Sequence, residues 1–158
     1  GLFVIDCYDN SNYGLDHYAA VIKDKNYFIR NYIFPHDVAV REMSTGHSRQ
    51  EYAYQLGMRP IKICPKLPIE DGLHSGQMLL SKTYIDREKC KPFLDAMKWY
   101  HRKFMDKDRT YSRPVHDWSS HYADCWRYVA VAHQELDLNQ LRPPQKVAAG
   151  LNYNPLGD

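Results

Sequence analysis

No apolar run in this chain approaches the roughly eighteen residues that a membrane helix needs, and no charged-then-apolar leader opens it. A membrane span and a signal peptide are therefore not expected, and the chain reads as soluble. Cysteine is scarce, and Cys7, Cys64, Cys90 and Cys125 lie far apart with no C-x-x-C pair. That spacing argues against a structural zinc site and against a compact disulfide framework, so reduced thiols in a cytosolic protein are expected. No G-x-x-x-x-G-K occurs, which excludes a Walker phosphate loop, and there is no internal repeat or low-complexity tract. Net charge is also small: +2 is too little to argue for or against a nucleic-acid partner, so charge placement has to decide. An initiator Met is absent too, and the abrupt apolar start "GLFVIDCYD" reads as the beginning of an internal fragment.

The 158 residues, 44% apolar and 25% charged, are enough for one ordinary globular domain. Leu2 to Cys7 reads as a buried strand ended by the turn-rich "DNSNYG". Leu15, Tyr18, Ala19 and Ile22 recur at helical spacing, and residues 27–34 return to a strand that stops at Pro35. A short helix in "SRQEYAYQLG", closed by Gly57, leads to a third strand in "PIKICP". This alternation predicts an α/β fold. After Pro68 the pattern turns helical through residue 104, "MDKDRTYSRPV" reads as a loop, and a last helix begins near Trp118. The domain is placed at residues 1–135, with 136–158 as a poorly ordered tail.

Two carboxylates stand out. In the last helix His121, Asp124 and Tyr128 share one side, with Asp117 just before the first turn, while Trp118, Tyr122, Cys125 and Val129 form a stripe expected to pack on the sheet. Asp37, with His36, follows the strand that Pro35 stops, at the carboxyl edge where open α/β sheets gather ligands. Acids delivered to one place by separate elements repel unless a cation lies between them, and hard oxygen donors select magnesium or manganese. Each has a plainer explanation as well. Asp117 is a good helix N-cap, Asp124 can pair with Arg127 or Arg102, and Asp37 can form an Asx-turn. Arg41, His47 and Arg49, in a flexible stretch with Arg59, suit phosphate contacts, although a solvated loop capped at Ser48 accounts for them more readily.

With these residues placed, the chain resembles the C-terminal nuclease domain of the tailed-phage terminase large subunit. The resemblance rests on "VIDCYDNSNYGLDHYAAVIK", "YIFPHDVAVREMSTGHSRQEYAYQLG", "PIEDG" and "RPVHDWSSHYADCWRYVA", in that order up to about His133. It implies a ribonuclease H-like fold, a central mixed sheet flanked by helices, with the first strands missing. It also implies two-metal hydrolysis of concatemeric DNA, with Mg2+ or Mn2+ held by Asp37 and Asp124, and by a first acid on a strand upstream of Gly1. Asp117, Ser120, His121 and His36 would then orient the ligands, and Arg41, His47 and Arg49, with Lys66 nearby, would contact DNA. Asp6 and Asp9 fall on a different strand and do not take the first acid's place. Cys125, after the last acid, and Gln77, in the helix after "EDG", are mild departures from the family pattern. Implied partners are double-stranded DNA, the portal protein and the small terminase subunit, in the host cytoplasm and transiently on the procapsid, with no membrane. A fragment that only contacts DNA or portal, without catalysis, remains open, and a Cys125/His121 hydrolase has little behind it.

Overall fold

A computed structural model describes residues 1–141. It is an α/β structure of five helices and three two-stranded sheets among the described residues. Strands β1 (Leu2–Val4) and β4 (Thr83–Ile85) pair in parallel, as do β2 (Tyr32–Phe34) and β3 (Ile61–Ile63). β5 (Arg102–Met105) and β6 (Thr110–Pro114) form an antiparallel hairpin. The helices are α1 (Leu15–Asp24), α2 (Arg49–Gln55), α3 (Ile69–Leu80), α4 (Lys91–Trp99) and α5 (Trp118–Leu141).

The central mixed sheet expected from the sequence is therefore divided into separate pairs. The first two strands are not neighbours: β2 bonds to β3, while β1 bonds to β4. Residues 27–31 stay outside the ladder, so that strand is shorter than its apolar run. α5 continues six residues beyond the boundary placed at 135, and residues 142–158 of the expected tail lie outside the described residues.

The core lies between α4, α5 and the first strand pair, where Cys90, Phe93, Ala96, Tyr122 and Trp126 are buried against Leu2, Val4, Leu79 and Ile85. Burial pushes the Cys90 thiol up to about 11. α5 presents a different face from the one its pattern suggested. Ser119, Tyr122, Ala123, Trp126 and Ala130 are buried, whereas Trp118 and Cys125 are exposed residues. The correction is a rotation of the buried stripe by about one residue, and its cause is visible on α3. Gly72 and Gly76, four residues apart, leave a shallow channel on that helix. The Trp126 indole lies over Gly76 and donates from Nε1 to the Gly76 carbonyl at 3.0 Å. Arg127 lies over Gly72.

Helix α2 is fixed at its start by a reciprocal cap. Ser48 Oγ accepts from the Glu51 N–H at 3.1 Å, and the Glu51 carboxylate accepts from the Ser48 N–H at 3.1 Å. Gly57, at φ +86, ends the helix as its position predicted. α1 behaves differently, because it contains no buried residue. Its apolar side, Leu15, Tyr18, Val21 and Ile22, lines an open groove of about 660 Å³ whose other walls are Ile5 to Tyr8 and Asn31 to Phe34.

Candidate metal and nuclease site

Pro35 stops β2, and the chain then makes one turn of 3-10 helix, His36–Ala39. Val38 is buried and anchors this turn, leaving Asp37 exposed beside it. Asp37 faces a groove shared with Tyr13, Tyr18, Glu42, Arg49 and Tyr52. His36 is half-buried, and its Nδ1 is enclosed without a hydrogen-bond partner.

Asp124 comes from α5, which packs against β2. Its Oδ1 accepts from Arg127 at 3.0 Å, with 46% of the Asp124 side chain exposed and only 15% of Arg127. The guanidinium also stands 5.3 Å from the Tyr128 ring centre, and its Nε is buried without a partner. Of the two arginines that the sequence offered Asp124, Arg127 takes the pair. Arg102 turns instead to Glu70 at 2.6 Å.

Burial raises the Tyr128 hydroxyl above its ordinary value, Arg127 opposes that rise, and the Asp37 and Asp124 carboxylates reinforce it. Tyr100 is similarly raised, by burial first and then by Asp124.

The remaining predicted residues are distributed more widely. Asp117 caps α5: Oδ1 accepts from the Ser119 N–H at 2.9 Å and from the Ser119 hydroxyl at 2.6 Å. The Ser119 hydroxyl and amide, helped by the Trp99 indole, hold the Asp117 carboxyl below the usual range. His121 packs edge-on to His116 at 5.8 Å and lines a pocket with Asp9, Tyr122 and Cys125, and no ion pair joins it to Asp124. Ser120 is buried against His116 and the Asp117 carbonyl. Arg41 and His47 lie 3.8 and 3.1 Å from Glu51, and Arg49 lies 3.3 Å from Glu42. These pairs are exposed and weak enough for a phosphate to compete with them. Asp6 is held by Lys25 at 2.6 Å and Asp9 by the Tyr122 hydroxyl at 2.5 Å, so each acid near β1 already has a partner.

Among the described residues no group of three or more His, Cys, Asp or Glu is arranged to hold a metal ion. The donor chemistry of Asp37 and Asp124 suits a hard divalent cation, but two carboxylates are fewer than phosphodiester hydrolysis generally uses. The sequence did not reveal Gly72 as the seat of Arg127. The available signal was the Gly72/Gly76 spacing. Comparison of the chain with protein-family models, with curated proteins and with solved structures finds no match.

Proposed function

We propose that this chain is the greater part of a metal-dependent DNA endonuclease domain of a viral packaging terminase, with a ribonuclease H-like fold. The reading rests on one observation: Asp37 follows the carboxyl end of β2, and α5, the helix that carries Asp124, packs against that same strand. Two carboxylates delivered by neighbouring elements would suit a hard divalent cation. Bound magnesium or manganese would supply an activated water and neutralise charge on the phosphate. Asp37 and Asp124 would hold the ions, with Arg127 keeping the Asp124 carboxylate in one rotamer. A third acid would have to come from residues other than those of this chain. The same reading gives concatemeric double-stranded DNA as substrate, portal protein and small terminase subunit as partners, and the host cytoplasm and procapsid as the setting.

A second reading, a catalytically incompetent module that contacts DNA or portal, draws on the Asp124–Arg127 pair, which already compensates the acid without a metal. Plasmid cleavage with magnesium and with manganese separates the two. The assay compares this chain alone with a form extended upstream through its own reading frame. Cleavage by the extended form is expected, with Asp37→Asn and Asp124→Asn inactive and Asp95→Asn, paired to Lys91 on the surface, unaffected. Full cleavage by Asp124→Asn refutes the nuclease assignment. An extended form that is folded and inactive favours the contact module.

A further inference from the structure

The hairpin β5–β6 is strongly cationic. Residues 101–114 carry Arg102, Lys103, Lys107, Arg109 and Arg113 against Asp106 and Asp108, a net +3 that exceeds the +2 of the whole chain. Everything outside the hairpin is therefore slightly acidic. Only Arg102 is neutralised, by Glu70 on α3, and no ion pair among the described residues involves Lys103, Lys107, Arg109 or Arg113. The ribbon forms a sheet of its own. It carries exposed aromatic surface, with Phe104 53% and Tyr111 66% accessible. These rings pair across the strands at 5.3 Å, edge to face. At the tip, Arg109 adopts φ +49, a conformation that favours glycine or asparagine. A cation is kept there at a conformational cost that glycine would avoid.

We infer that the β5–β6 hairpin is a nucleic-acid-binding ribbon that seats Lys103, Lys107, Arg109 and Arg113 against the phosphates of duplex DNA, with the Phe104/Tyr111 face directed into a groove. A two-stranded ribbon is narrow enough for the major groove of B-form DNA, about 12 Å wide. Unpaired cations gain counterion-release energy on a polyanion that they do not gain on a neutral surface. The hairpin is also close in the chain to the site helix: β6 ends at Pro114, and α5, which carries Asp124, begins at Trp118. The ribbon would thus hold the substrate whose cleavage was proposed above, and its binding is measurable without metal, so the two proposals fail separately.

The test is fluorescence anisotropy with a labelled 30-base-pair duplex, without divalent ions, over a range of salt. Changing Lys103, Lys107, Arg109 and Arg113 together to Gln is compared with the same charge change at Lys23, Lys62, Lys82 and Arg87, all exposed and outside any ion pair among the described residues. The hairpin variant is expected to bind at least about tenfold more weakly, and its log–log salt slope to be shallower by roughly 3. The control set should change affinity far less. Thermal unfolding of both variants checks the fold, and a separate Phe104→Ala/Tyr111→Ala variant reads the aromatic face without altering charge. Equal weakening by both charge variants overturns the inference, and so does an absence of duplex binding by the unaltered chain. Weakened hairpin binding in a protein that never cleaves DNA leaves the ribbon standing and removes only the nuclease.

Discussion

Gly72→Ala tests how α3 and α5 are held together, because two well-characterised effects oppose each other at that position. Alanine is the better helix former by about 1 kcal/mol, so propensity alone predicts a more stable protein. The added methyl would stand 2.2 Å from Arg127 Cγ and 2.5 Å from Cδ. Carbon atoms pack at about 3.5–4 Å, and these two lie in the middle of the side chain, so Arg127 must leave its seat. Overpacking of this kind costs roughly 1–3 kcal/mol, and loss of the half-exposed pair with Asp124 adds up to about 1 kcal/mol. The losses match or exceed the gain, and a net destabilisation of up to about 3 kcal/mol is expected. At this chain length that lowers Tm by up to roughly 10 °C. Circular dichroism melts of Gly72→Ala, Arg127→Ala and the double variant complete a cycle. With Arg127 truncated the clash is gone, so the alanine should be neutral or stabilising in that background. A Tm that rises in Gly72→Ala alone would refute the close approach of Arg127.

Lys25 holds the Asp6 carboxyl below its usual range against the opposing effect of burial. A depressed folded value contributes stability above the unfolded carboxylate value near 4, and that stability is lost as pH falls through the lower folded value. Asp6→Asn should therefore melt below the wild type at neutral pH, with the gap closing below about pH 3; a gap constant across this range contradicts the assigned pairing. Ser48→Ala removes one half of the reciprocal cap on α2 and should cost about 1 kcal/mol, lowering Tm by a few degrees. Ser48→Gly should cost less, and an unchanged melting temperature for Ser48→Ala would mean that the cap contributes nothing.

The elements most legible in the sequence were those whose signals are local. α1 followed from the spacing of Leu15, Tyr18 and Ile22, and the ends of α2 from Ser48 and Gly57. β4 was hidden because Thr83–Ile85 is three residues long and is specified by its partner β1, eighty residues away. The hairpin was read as helix end and loop because Arg102–Met105 and Thr110–Pro114 lack the apolar alternation of a half-buried strand; both faces carry exposed side chains. The buried face of α5 was misplaced by about one residue for a tertiary reason. Trp118 and Trp126 are equally apolar in sequence, but only Trp126 meets a glycine channel. At the candidate site Asp37 and Asp124 were both singled out by their place in the sequence pattern. The Arg127 pair was one of two options for Asp124, and packing of Arg127 on Gly72 decides between them.

The open groove beside α1 also governs how this chain behaves at high concentration. Among the described residues β1 and β2 each have one hydrogen-bonded neighbour, so within that part of the chain each offers the backbone donors and acceptors of its other edge. Phe3, Ile5, Phe28 and Ile33 stand exposed around them. Free edges flanked by apolar side chains are templates for strand addition, and neither β1 nor β2 contains a lysine or proline that would discourage it. Two molecules meeting edge to edge would satisfy both. Self-association of this chain should therefore rise with protein concentration and persist in salt, unlike contacts made through the cationic hairpin, and a charge placed at Ile33 should suppress it.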